Sequence, residues 1–160
     1  MGTQLDHELG IYNRISTSSK KHPGRDAVRD LLDSFHVTGP DGSHQCLVHP
    51  PLLESVYDFL HRNPIQRLPP VVLAVTLRRL FLALDFLHKE CQIIHTDIKA
   101  DNIMFGIEED TVFTAFEEQE LIHPSPRKLV EGEEGRAVYL SRQLQRPIRG
   151  RTSSVNLAPL

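Results

Sequence analysis

Between Val71 and Phe105 the sequence passes from a long apolar helix pattern, through a run of polar residues, to a short apolar strand pattern. Leu73, Leu77, Leu80, Leu84 and Leu87, with Phe81 beside them, lie three and four apart, the spacing of one helix face. Pro69-Pro70 precedes them, and proline suits a first helical turn. The stripe predicts a largely buried core helix with no chemistry of its own. Cys91-Gln92-Ile93-Ile94 then leads into His95-Thr96-Asp97-Ile98-Lys99-Ala100-Asp101-Asn102, and Ile103-Met104-Phe105 reads as a strand.

With ordinary residue usage, His-x-Asp-x-Lys-x-x-Asn arises by chance on the order of once in a thousand chains of this size. Its residue types suit phosphoryl transfer, which demands positioning and charge stabilisation more than covalent help. Asp97 is the candidate carboxylate to orient an incoming hydroxyl and take its proton. Lys99 is placed to neutralise charge on a transferred phosphoryl group. Asn102 offers an amide oxygen to a metal ion bridging nucleotide phosphates. His95 is expected to hold the loop by packing and backbone hydrogen bonds rather than to titrate. The plainer alternative is a polar turn capped by Asp and Asn.

Elsewhere the chain offers local patterns. Asp6 to Ile15 carries Leu9, Tyr12 and Ile15 at helical spacing, and the segment 16–24 ends that helix in a loop. Val28 to Val37 and Cys46-Leu47-Val48, separated by Gly39-Pro40-Asp41-Gly42, predict a hairpin. After Pro50-Pro51, the spacing of Leu53, Val56, Tyr57 and Leu60 predicts a helix that stops near Asn63-Pro64. Glu108 to Glu120 is acidic and reads as a solvated peripheral helix anchored by Val112, Phe113 and Phe116. His123 to Gly135 reads as a loop, Ala137 to Leu140 as a strand, and the Arg-rich end as a disordered tail.

A net charge of -3 with interspersed signs gives no footprint for nucleic acid or for an anionic membrane surface. Arg78, Arg79 and Asp85 interrupt the apolar stretch, which excludes it as a membrane span. The first residues show no secretory signal pattern, so the expectation is an intracellular protein, cytoplasmic and/or nuclear. Cys46 and Cys91 sit in no metal-ligand spacing and read as two buried thiols.

The octet resembles the catalytic loop of eukaryotic protein kinases, with Thr96 where an Arg is usual. His-Thr-Asp, preceded by Cys91-Gln92-Ile93-Ile94, is similar to the serine/threonine kinases of the SR-protein kinase branch, and Ile11 to about Leu140 resembles fungal members. The resemblance implies an α+β, partial protein-kinase-like fold, mainly helical with short strands: the end of the N-lobe, the hinge, and the first helices and catalytic loop of the C-lobe. It implies a division into a partial kinase domain, 1–148, and a disordered or aberrant tail, 149–160. Asp97, Lys99, Asn102 and His95 become the catalytic residues, with Asn102 also the metal ligand. Cys46, Leu47, Val48 and His49 resemble the strand and hinge whose backbone contacts adenine, and Glu8 resembles the helix glutamate that pairs with a nucleotide-anchoring lysine. ATP and Mg2+ are the implied cofactors. The implied partner is a protein substrate, in particular an Arg/Ser-rich one. Thr96 cannot pair with a phosphorylated activation loop, which implies constitutive activity.

The sequence contains no Gly-rich loop or strand lysine before Glu8 and no Asp-Phe-Gly triplet. These 160 residues are therefore expected to be a truncated fragment that transfers negligible phosphate alone. Two further readings stand beside this one. The first is a small-molecule kinase, against which Lys99 speaks. The second is a non-catalytic, pseudokinase-like module that binds a partner through exposed apolar helix faces. Arg149 to Ser154 is in addition a candidate substrate string for a basophilic kinase.

Overall fold

The computed structural model describes residues 4–39, 42–107, 110–130, 137–142, 144 and 155–157. In chain order the elements are α1 (Gln4–Thr17), β1 (Asp33–Gly39), β2 (Gly42–Val48), β3 (Leu52–Ser55), α2 (Val56–Arg62), α3 (Pro70–Lys89), β4 (Ile103–Gly106), α4 (Thr111–Ile122), β5 (Arg127–Leu129), β6 (Ala137–Tyr139) and β7 (Val155–Leu157). The chain divides into two compact units, Met1–Gly106 with Thr152–Leu160, and Ile107–Arg151. The expected division at 148/149 lies outside the described residues.

In the first unit, β1 and β2 form the predicted antiparallel hairpin, in register from Asp33↔Val48 to Gly39↔Gly42. Gly42 has a φ of 127°, a backbone conformation that disfavours any side chain. The first strand begins later than expected. Arg25–Ala27 forms a short 3-10 turn, and Ala27 and Val28 enter the core rather than the hairpin.

The helix expected from Leu53 begins at Val56. Ser55 Oγ accepts from the Asp58 amide at 3.0 Å while the Asp58 carboxylate accepts from the Ser55 amide at 3.4 Å, a capping box that fixes the start. Leu53 belongs instead to β3, which pairs antiparallel with β4 through a bulge between Leu52 and Glu54. The far edge of β4 is taken by β7, with Ile103 opposite Leu157. The tail expected to be disordered thus contributes one described strand.

Two apolar clusters fill this unit. The larger joins Tyr12 and Ile15 of α1, Ala27, Val28, then Ala83, Phe86 and Leu87 of α3, and Cys91 and Ile93 beyond it. The smaller centres on Val56 and Phe105, and Ile103 packs against both. The buried residues of α3 are Thr76, Ala83, Phe86 and Leu87, whereas Leu73 and Leu77 are 43% and 40% exposed. The predicted stripe is therefore only partly right. Three contacts select the buried face: Arg79 donates to the Asp26 carbonyl at 2.7 Å, His22 Nε2 lies 3.1 Å from Asp85, and Gly24 sits against the Leu82 carbonyl. Docking the 22–28 segment there turns Leu73, Leu77 and Phe81 outward. Cys91 is buried as expected, but Cys46 is only half-buried.

In the second unit, α4 forms where the acidic helix was expected, with Val112 buried. Glu120 accepts from the Ser125 amide at 2.6 Å and its hydroxyl at 2.8 Å, and it pairs with Arg142 at 3.0 Å. The segment read as a loop contains β5, which pairs antiparallel with β6. Among the described residues no helix is long and apolar enough to cross a membrane.

Candidate active site

The polar octet is suspended between two anchors. The α3 helix ends as Glu90 and Cys91 both donate to the Phe86 carbonyl, and Gln92, with a φ of 54°, reverses the chain. The Gln92 side-chain amide donates to the carbonyls of His88 and Lys89, at 3.2 and 3.0 Å, satisfying helix-end groups that would otherwise lack partners. The Ile93 amide donates to the Leu87 carbonyl at 2.9 Å, and its side chain joins the larger cluster. Past the octet, Ile103 and Phe105 of β4 provide the second anchor. The polar residues between must then bend in solvent. Gln92 was not singled out from sequence as a positioning residue, and a positive φ in a non-glycine residue carries no sequence signal of its own.

Within the bend Asp97, Lys99 and Asn102 converge. Lys99 Nζ lies 2.8 Å from Asp97 Oδ2, and Asn102 Nδ2 donates to the same oxygen at 2.9 Å and to the Asp97 carbonyl at 2.8 Å. Neither contact uses Asp97 Oδ1. With both amide protons of Asn102 directed at Asp97, its Oδ1 is the end with lone pairs to offer. A 3-10 turn over Ala100–Asn102 carries Asn102 back toward Asp97. His95 is 5% exposed, and its Nδ1 accepts from the Asp97 amide at 3.2 Å. Through this contact His95 acts as a buried clamp on the bend.

The hydrogen bond from Lys99, then that from Asn102, holds the Asp97 carboxyl below its ordinary value of 3.8, and the hydrogen bond to Asp97 raises Lys99 above 10.5. The signs fix a pH window. The contribution of Asp97 to the bend is complete above 3.8 and is lost as pH falls through the depressed value. That of Lys99 is complete below 10.5 and is lost as pH rises through the raised one. The Asp97 side-chain carbonyl resonance should accordingly stay flat from mildly acidic to alkaline pH, and a titration midpoint near neutrality would contradict this geometry.

The other candidate residues lie elsewhere. Cys46, Leu47 and Val48 sit on β2 opposite Phe35, Ser34 and Asp33. The Val48 carbonyl accepts from the Leu32 amide at 2.8 Å, so that atom is already engaged by the hairpin. His49 Nδ1 lies 2.7 Å from the Asp30 carbonyl, and its ring packs 5.0 Å from that of Tyr12. Glu8, half-buried on α1, acts electrostatically on Tyr12. Glu8 on α1 and residues 46–49 on and after β2 thus lie on other elements than the bend. No three His, Cys, Asp or Glu side chains among them cluster as a metal site.

No protein-family model matches the chain. It is 35% identical over 144 residues to a serine/threonine protein kinase of Aspergillus fumigatus, covering 90% of this chain and 33% of that one. To the protein kinase dsk1 of Schizosaccharomyces pombe it is 34% identical over 110 residues, 69% of this chain and 20% of that one. To SRSF protein kinase 3 of Homo sapiens it is 31% identical over 100 residues, 62% of this chain and 18% of that one. The chain thus spans a third or less of these relatives. It superposes on the crystal structure of a kinase domain with a TM-score of 0.57 at 17% identity, covering 96% of this chain and 37% of that one. The fold is a partial protein-kinase fold.

Proposed function

We propose, from the homology of this chain to serine/threonine protein kinases of the SR-protein kinase type, that the bend at residues 95–102 is the phosphate-transfer loop of such an enzyme. One observation carries the reading: an ion pair and two hydrogen bonds bring a carboxylate, an ammonium and an amide onto a single solvent-facing turn. The hydroxyl of a protein Ser or Thr donates to Asp97 Oδ1, the oxygen left outside the contacts of Lys99 and Asn102. As its oxygen forms a bond to the terminal phosphorus of ATP and the bond to the bridging oxygen of ADP breaks, the proton passes to Asp97. Lys99 balances the charge on the departing phosphoryl group, and Asn102 holds the carboxylate in orientation.

The donor set fits a magnesium ion in part. Asn102 Oδ1 supplies one hard oxygen, and Mg2+ commonly completes its octahedron with phosphate oxygens and water. Asn102 is the residue here that would hold it, and the ion would neutralise the charge of the nucleotide phosphates. The backbone of 46–49 is the proposed adenine contact, through groups other than the Val48 carbonyl, and Glu8 the proposed partner of a nucleotide-anchoring lysine. Because the Homo sapiens relative is named SRSF protein kinase 3, Arg/Ser-rich proteins are the proposed substrates.

The test is a chimera in which this chain replaces the matching stretch of the Aspergillus fumigatus kinase, assayed for transfer of labelled phosphate from ATP to an Arg/Ser-rich peptide. Transfer above background supports the reading, and a folded but silent chimera contradicts it.

A further inference from the structure

Among the described residues β1 pairs with β2 alone, and Asp33 to Thr38 are all exposed, whereas β2 is half-buried from Gln45 onward. The outer side of β1 is therefore an open sheet edge. In an antiparallel pair closed at Gly39↔Gly42, alternate residues turn their N–H and C=O toward the partner strand, and those between turn theirs away. Ser34, His36 and Thr38 are the outward ones. The Ser34 amide accordingly donates to its own Asp33 carboxylate at 2.8 Å rather than to a strand.

The side chains make this edge adhesive. Leu47 packs on the larger apolar cluster, and strand alternation puts Phe35 and Val37 on the opposite face of the hairpin, each 47% exposed. Exposed edges are commonly protected by charged residues or proline, and the segment 34–38 contains no Lys, Arg, Asp, Glu or Pro.

We propose that this edge pairs, antiparallel, with the same edge of a second copy of the chain, about a two-fold axis at His36. The register is self-complementary. His36 meets His36 of the second copy and Ser34 meets its Thr38, each pair exchanging both main-chain hydrogen bonds, while Phe35 stands opposite its Val37. Aromatic with β-branched and Ser with Thr are among the favourable cross-strand neighbours. Asp33 falls opposite Gly39, so no like charges face each other. Such a contact closes at two copies and turns a lone hairpin, marginal by itself, into a four-stranded sheet. It is independent of the chemistry of the bend at 95–102.

Sedimentation equilibrium of the whole chain, over concentrations rising into the millimolar range, should show a monomer–dimer equilibrium. His36→Pro removes an N–H that points away from β2, so the hairpin keeps its own bonds, and the dimer should weaken about tenfold or more. His36→Glu and His36→Lys should each weaken it about fivefold, because like charges would meet across the axis, whereas an equimolar mixture of the two should associate more tightly than either alone. That rescue requires position 36 to meet itself. The proposal is overturned by a chain that stays monomeric throughout, or by a mixture no tighter than its components. It is equally overturned by a dimer indifferent to His36→Pro, which would place the contact on another surface such as the exposed face of α3.

Discussion

Asp97→Asn, introduced into a chimera that transfers phosphate, lowers turnover by about 100- to 10,000-fold, the range associated with losing a positioned general base. The substitution is nearly isosteric, so packing does not supply the effect. It removes the proton acceptor, and with it the charge that holds Lys99 at 2.8 Å. An amide at position 97 would also present N–H groups to a hydroxyl that must itself donate. Binding of ATP should change little, because the substituted atoms meet the hydroxyl rather than the nucleotide. A variant with KM for ATP raised and kcat unchanged would place Asp97 outside the chemistry.

Gly24→Ala unfolds or severely destabilises the first unit. A Cβ at this position would stand 1.8 Å from the Leu82 carbonyl oxygen and 2.5 Å from its carbon, with Phe86 Cβ at 3.0 Å. Two of those atoms are backbone in the middle of α3 and cannot swing aside. Relief requires lifting the 22–28 segment, which would loosen the His22–Asp85 contact and uncover Ala27, fully buried beneath it. Overpacking of ordinary cores costs about 1–3 kcal/mol, and a clash against helix backbone belongs at or above the upper end. The control has the opposite sign. Gly10 lies inside α1 with nothing within 4 Å of a built Cβ, so Gly10→Ala should stabilise by about 0.5–1 kcal/mol. Urea midpoints of the two variants measure both, and equal shifts would refute the close approach of Gly24 to α3.

Much of the bend was legible in the sequence because its chemistry is local. Asp97, Lys99 and Asn102 lie within six residues, and the apolar patterns on either side dictate that the polar run between them turns. Helix α3 was readable for the same reason, but the face it buries was not. Leu73 and Leu77 continue the stripe of Leu80, Leu84 and Leu87 as well as Thr76 and Ala83 do, and only the docking of residues distant in sequence, Asp26 on Arg79 and His22 on Asp85, decides between them. The strand β3 was hidden because Leu53 continues the three-and-four spacing of Val56 and Leu60. The Ser55-x-x-Asp58 pair was the available signal that the helix starts later. Nothing in the sequence marks Gly24 as obligatory, since the atom that forbids a side chain belongs to Leu82, far along the chain.

The account stands or falls on whether the turn at 95–102 meets the terminal phosphate of a nucleotide. Mn2+·ATP, titrated into the isotope-labelled chain, should broaden the side-chain amide resonances of Asn102 and the backbone amides of 97–102 before any others, and Asn102→Ala should remove that selectivity. Broadening that spares the turn and settles on the acidic face of α4, or that survives Asn102→Ala unchanged, would contradict it.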